Sequence, residues 1–250
     1  MKMRVTILQR DIVWGEPAAN IERADKAISA NAGADLYILP EMFSTGFCTL
    51  PEGIAESEGL SLEWLKAKAA AMNAAIAGSV ATEEQGKYYN RFYFVKPDGS
   101  VEYYDKRHLF TYGGEHNHYT AGDKRVVVEW RGVRILLEIC YDLRFPIWSR
   151  NRGDYDMIIY VASWPTPRVE AWKALLVARA IENQCYVAGV NRVGDDPNCT
   201  YCGGSSIIDP YGHHLAICAD SCECEASAEI DMEALEAFRE KFPVLKDADN

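Results

Sequence analysis

Leu136-Leu137-Glu138-Ile139-Cys140-Tyr141-Asp142-Leu143-Arg144-Phe145-Pro146 reads as an apolar strand that runs straight into a cysteine and then into a predicted helix. A thiol in that position sits at a sharp strand-to-helix turn, facing outward. Such a turn aims free backbone N–H groups, that of Tyr141 included, at whatever reacts there, and a helix N-terminus lowers a thiol pKa.

Outward from this stretch, hairpins and helices interleave. Upstream, Val126–Trp130 and Val133–Ile139 bracket Arg131-Gly132 as a hairpin, and downstream Met157–Ala162 is an almost wholly apolar strand of the kind buried on both faces. A predicted helix over Arg168–Asn183 carries Val169, Trp172, Leu176 and Ala180 on one stripe. Toward the N-terminus, Val5–Leu8, a helix after Pro17 and Leu36–Leu39 make a βαβ start. A helix from Ser61 as N-cap to about Met72, the strand Ala75–Val80, and a hairpin of Tyr88–Val95 with Val101–Tyr104 follow. The C-terminal part gives a strand Tyr186–Asn191, a loop Arg192–Gly203, a hairpin turning at Asp209–Gly212, a strand near Cys224–Ile230, and an Asp231-capped helix carrying Met232, Leu235, Phe238 and Phe242. Amphipathic helices must cover sheets whose strands are apolar, so the pattern points to a mixed-sheet α/β sandwich with helices outside.

The 250 residues show no internal repeat and no Pro/Gly/Ser-rich linker, and one domain over 1–250 is the simplest organisation. With 48% hydrophobic and 25% charged residues the chain is neither disordered nor fibrous. A formal charge of −11 works against a grip on phosphate backbones, so nucleic acid is not an expected partner. No stretch approaches the roughly 18 apolar residues of a membrane span, and Met1–Leu8 lacks the features of a secretion signal. A cytoplasmic location follows as an expectation, and with it eight reduced cysteines rather than a disulfide framework.

Two further segments carry chemistry. Leu36-Tyr37-Ile38-Leu39-Pro40-Glu41 ends an apolar strand in a carboxylate, placed where ligands bind in α/β folds and able to relay a proton between a thiol and a leaving amine. Lys106, in Tyr103-Tyr104-Asp105-Lys106-Arg107-His108-Leu109-Phe110, offers an ammonium that stabilises an oxyanion when a thiolate adds to an acyl carbon. Singly, a buried cysteine, a solvated glutamate and a surface lysine explain these residues equally well.

Together, Leu39-Pro40-Glu41-Met42-Phe43, Tyr104-Asp105-Lys106-Arg107-His108-Leu109-Phe110 and Cys140-Tyr141-Asp142-Leu143-Arg144-Phe145-Pro146, in that order, resemble the glutamate, lysine and cysteine motifs of the nitrilase superfamily of carbon–nitrogen hydrolases; the resemblance runs from Val5 to about Leu245. It implies a four-layer α-β-β-α sandwich in which Cys140 attacks an amide carbon, Glu41 is general base and acid, and Lys106 helps bind the oxyanion. A thioester forms, ammonia leaves, and water releases the acid. Glu115, in Gly113-Gly114-Glu115-His116, matches the family's second glutamate in position, which the resemblance implies is a catalytic residue that positions substrate or Lys106; a plain loop carboxylate is the alternative. Ala162–Arg168 and Ala178–Gln184 are similar to the bacterial omega-amidase branch, which acts on 2-oxoglutaramate and related monoamides, needs no metal or other cofactor and commonly forms homodimers.

A substrate with a free carboxylate needs an anchor, for which Arg168 is the first candidate. Arg144 is the second, although an ion pair with Asp142 explains it as readily. Trp164 and Tyr141 are candidate pocket walls. Competing expectations are a nitrile or N-carbamoyl substrate, or a non-catalytic interaction module. Glu138, two residues before Cys140, is expected on the same strand face, where its charge would raise the thiol pKa. Cys199-x-x-Cys202 and Cys222-x-Cys224 invite a zinc reading, but the second spacing is too short for a usual knuckle and no metal site is assigned.

Overall fold

Strands that are apolar on both faces must be covered twice, and the chain solves this with two sheets back to back and helices outside each. The computed structural model describes residues 2–57 and 59–247. In chain order the elements are β1 (Lys2–Gln9), α1 (Pro17–Ala30), β2 (Leu36–Ile38), α2 (Leu60–Met72), β3 (Ala75–Glu84), β4 (Lys87–Val95), β5 (Val101–Asp105), β6 (Val127–Trp130), β7 (Val133–Ile139), α3 (Pro146–Ser149), β8 (Met157–Ala162), α4 (Val169–Glu182), β9 (Tyr186–Asn191), β10 (Val193–Asp195), β11 (Thr200–Cys202), β12 (Ser206–Ile208), β13 (His214–Ile217), β14 (Cys224–Asp231) and α5 (Met232–Lys241).

One sheet runs β14-β1-β2-β3-β4-β5 and the other β6-β7-β8-β9-β12-β13. Across each, the pairings read antiparallel, parallel, parallel, antiparallel, antiparallel, so the chain builds the same half twice. Alternation along the strands sorts the side chains. Val5, Ile7, Ile38 and Phe92 of the first sheet meet Ile135, Leu137, Ile159 and Val190 of the second in the central core. Leu8, Tyr37, Leu39 and Ile76 face α1 and α2, while Leu136, Ile158, Tyr160 and Val187 face Trp172, Leu176 and Ala180 of α4. The architecture is the expected α-β-β-α sandwich.

Local chemistry explains most boundaries. Arg131 and Gly132, both at positive φ (46° and 71°), make the tight turn between β6 and β7. The Asp231 carboxylate accepts the Glu233 and Ala234 N–H groups at 3.0 and 3.2 Å and caps α5, whose Met232 and Leu235 are buried. Phe242 lies past its end and is exposed. Three expectations are corrected. Ser61 does not cap α2: its N–H and hydroxyl both bind the Glu56 carboxylate, and the helix starts at Leu60 behind Gly59, whose φ of +71° suits a residue without a side chain. The helix expected after Cys140 is a single 3-10 turn over Cys140–Arg144, ended by Pro146, which opens the four-residue α3. The segment 192–203 is a short hairpin, β10 paired with β11, rather than an open loop.

Candidate active site

Each chemical group stands just past the end of a strand, where the two halves face each other. Glu41 follows β2 and Lys106 follows β5 in the first half; Cys140 follows β7 and Ser163 follows β8 in the second. Glu41, Lys106 and Glu115 are fully buried. The Lys106 ammonium donates to Glu41 Oε1 at 2.9 Å and to Glu115 Oε2 at 2.9 Å. Burial alone would lower its pKa, but the Glu115 and Glu41 carboxylates outweigh that and hold it above the usual lysine value, so the cation is retained. The same burial raises the Glu115 pKa against the pull of Lys106.

Asn90 of β4 was not foreseen from the sequence. Its side-chain amide donates to Glu41 Oε1 at 2.8 Å and to Glu115 Oε1 at 3.2 Å, bridging the two carboxylates. Ser163 is the second missed contributor: its backbone N–H donates to Glu41 Oε2 at 2.8 Å and also approaches the Cys140 sulfur. Behind it, the buried Asn191 side chain accepts the Trp164 N–H at 2.7 Å and donates to the Trp164 carbonyl at 2.9 Å, fixing that peptide from both sides.

Cys140 has φ +45°, a strained conformation for a residue with a side chain, and this turns its thiol out of the strand's alternation toward Glu41. Burial and the Glu41 charge push the thiol pKa well above the ordinary range, with Lys106 opposing. The lowering expected from a helix start is therefore overruled by desolvation. Asp142 ties this turn to the lysine segment. Its carboxylate accepts from Ile139 N–H (3.0 Å), Tyr104 hydroxyl (2.8 Å) and His108 N–H (2.9 Å), so the residues flanking Lys106 are held to the turn that bears Cys140.

That use of Asp142 corrects the alternative reading of Arg144. Arg144 instead extends over the Trp164 ring at 4.9 Å, in a cleft of about 470 Å3 whose lining also includes Lys106, Cys140, Tyr141 and Arg168. The Arg168 guanidinium lies 5.5 Å from the Phe110 ring. Among the described residues neither arginine has an acidic partner within ion-pair distance, whereas Glu41 and Glu115 sit behind the cleft floor. Trp164 is also buried against Trp172, ring centroids 5.5 Å apart, and donates its indole N–H to the Arg168 carbonyl at 2.7 Å. Sequence reading had not foreseen Phe47, Phe110, Tyr112 or the β10–β11 turn as walls. Asp196 in that turn accepts the Asn198 and Cys199 N–H groups and the Tyr201 hydroxyl, which braces it.

Glu138 is not on the thiol's side. Its side chain is buried on the outer face of β7, where it accepts from the Ser149 hydroxyl at 3.1 Å, and burial with Asp142 nearby raises its pKa well above the carboxylate range. Cys199 belongs to the cleft wall while Cys218, Cys222 and Cys224 lie around the β13–β14 connection; among the described residues no group of three or more His, Cys, Asp or Glu side chains is arranged to hold a metal ion. Nor, among those residues, is any helix long and apolar enough to cross a membrane.

Residues 4–240 match the carbon–nitrogen hydrolase family. The chain is 49% identical over 248 residues to the omega-amidase YafV of Escherichia coli strain K12, covering 99% of this chain and 97% of that protein. It is 39% identical over 255 residues to the 2-oxoglutaramate amidase of Bacillus subtilis, covering 99% and 98%. The crystal structure of XC1258 from Xanthomonas campestris, a CN-hydrolase superfamily protein with an arsenic adduct in the active site, superposes with a TM-score of 0.97 at 42% identity, over 100% of this chain and 98% of that one.

Proposed function

The chain belongs to the carbon–nitrogen hydrolase family and stands with the omega-amidases of the nitrilase superfamily, and from that premise we propose how its own residues cleave a terminal amide. It is an amidase of the omega-amide class, and small monoamides of dicarboxylic acids, of the 2-oxoglutaramate and succinamate type, are the substrates. The observation that carries the mechanism is the buried Glu41–Lys106–Glu115 cluster beside Cys140, at the floor of a cleft that holds two arginines with no acidic partner among the described residues.

Cys140 rests as a thiol, so a base is required. Glu41 takes the sulfur proton as sulfur bonds to the amide carbon, and the oxyanion is met by the Lys106 ammonium and the Tyr141 N–H. Glu41 returns the proton to nitrogen, the C–N bond breaks, and ammonia leaves a thioester. Water, deprotonated by Glu41, then attacks that carbon and the acid departs as Cys140 regains its proton. Glu115 and Asn90 hold Lys106 and Glu41 in register without touching substrate. Arg144 and Arg168 receive the carboxylate at the far end of the substrate, with Trp164 and Tyr141 as walls.

The test is ammonia release from 2-oxoglutaramate and succinamate beside an uncharged amide, a nitrile and an N-carbamoyl amino acid. Turnover of the monoamides and silence of Cys140→Ala are expected; turnover by Cys140→Ala would remove the thioester route. Arg144→Met and Arg168→Met should raise KM for the carboxylate-bearing amides about tenfold to a hundredfold, the equivalent of one charged hydrogen bond, and leave the uncharged amide unaffected. Equal losses on both substrates would mean the arginines shape the cleft rather than read a carboxylate.

A further inference from the structure

The connection between β13 and β14 is where the chain crosses from the second sheet back to the first, and with the first residue of β14 it carries three of the eight cysteines. Cys218, just after β13, is 1% exposed; its thiol reaches the Cys224 carbonyl at 3.6 Å, and the two cysteine side chains are neighbours. Cys224 opens β14 and is partly exposed. The Arg10 guanidinium, from the residue after β1, pairs with Glu225 and with Glu223 at 3.8 Å, the residues on either side of Cys224. Two neighbouring thiols at the two ends of one short connection, the outer one reachable from solvent, can join once a peroxide oxidises the outer sulfur; burial keeps the proton on the inner thiol, Cys218.

We propose that Cys218 and Cys224 are a peroxide-oxidisable pair, separate from the catalytic thiol, whose disulfide staples the crossing between the two sheets. The Cys224 sulfur attacks a peroxide oxygen, the O–O bond breaks, and a sulfenic acid and one water result. The Cys218 sulfur then displaces the sulfenic oxygen, which leaves as a second water with the Cys218 proton. The two thiols supply the two electrons and two protons that reduce the peroxide.

The staple acts on a segment that supports the cleft. Gln9 donates to the Ala219 and Cys222 carbonyls at 2.7 and 2.9 Å and accepts the Ser205 N–H at 3.2 Å, while Ser221 N–H donates to the Cys202 carbonyl at the end of β11. The Ser205 hydroxyl accepts the Asn191 N–H, and Asn191 clamps Trp164. The connection thus underlies both the β10–β11 wall and the peptide beside Glu41. Cys140, whose proton is held by desolvation and the Glu41 charge, is the slower target.

Intact protein treated with near-stoichiometric hydrogen peroxide should lose two alkylatable thiols, regain them with dithiothreitol, and yield by fragmentation mass spectrometry a Cys218–Cys224 linkage. Its melting midpoint should rise by a few degrees. Cys218→Ala and the gentler Cys224→Ala should each abolish the linkage and the rise, and Cys222→Ala should keep both. A linkage through Cys222, oxidation of Cys140 ahead of the pair, or sulfinic acid at Cys224 without closure would each overturn the proposal, and a linkage without thermal stabilisation would overturn the staple.

Discussion

Cys140 and Glu41 oppose one another in a way that separates reactivity from catalysis. The Glu41 charge is one of the reasons the thiol keeps its proton, and Lys106 pulls the other way. Replacing Glu41 with glutamine removes the opposition and leaves the cation. Glu41→Gln should therefore lose amide hydrolysis by about 100- to 10,000-fold and yet alkylate faster at Cys140 with iodoacetamide near neutral pH; slower alkylation would show that Glu41 activates the resting thiol instead. Glu138 supplies a second residue-scale test. Its folded pKa is raised, so the native state keeps a proton the unfolded chain gives up, and stability falls as pH climbs from the ordinary carboxyl range toward the raised value. Glu138→Gln cannot ionise and should gain stability over wild type as urea denaturations move upward from about pH 5, by at most about 1.4 kcal/mol per pH unit and only until the raised value is reached; a shrinking difference would place the ionised form in the native protein. The sequence made Glu41, Lys106 and Cys140 visible because each ends a strand in a distinctive string. It hid Asn90 and the Ser163 N–H, because a polar residue within a strand and a backbone donor leave no spacing signature, and it misplaced Glu138 because the positive φ of Cys140 breaks the alternation that put them on one face.

At the scale of elements, what fixes the site is how closely segments after the strands approach one another. Gly122 N–H donates to the Lys106 carbonyl at 3.0 Å, and a Cβ at Gly122 would stand 2.1 Å from the Asp105 carbonyl oxygen. A backbone atom cannot give way as a flexible side chain can. Gly122→Ala should push the Asp105–Lys106 peptide aside and lower kcat about tenfold or more with the circular dichroism spectrum retained, because sub-ångström displacement of Lys106 from its proposed place at the oxyanion is enough. Unchanged kcat would mean that the 120–122 segment moves and Lys106 does not. Elements were legible wherever periodicity was strong, as in α4 and the β6–β7 hairpin. The 3-10 turn after Cys140 and the β10–β11 hairpin were not, since runs of three to five residues are held by side-chain bonds, His108 N–H to Asp142 and Cys199 N–H to Asp196, rather than by a periodic pattern.

For the molecule as a whole, the C-terminal β14 returns to pair with β1 along all eight of its residues, from Lys2↔Asp231 to Gln9↔Cys224, so the last strand completes the sheet begun by the first. A chain ending at residue 217 keeps every group assigned to chemistry but bares that ladder, and it should be inactive and prone to aggregate; a soluble fragment turning over amide would contradict this. The two halves with their matching strand pairings divide the groups proposed for chemistry between them: Glu41, Lys106 and Glu115 come from one, Cys140 and the Ser163 amide from the other. Chemical competence is therefore a certificate of completed assembly. A nascent chain carrying Glu41, Lys106 and Glu115 has not yet made Cys140. The thiol that follows stays an ordinary, unaided one until the sheets close face to face, which makes the first molecule of released ammonia a clock for the closing of the sandwich.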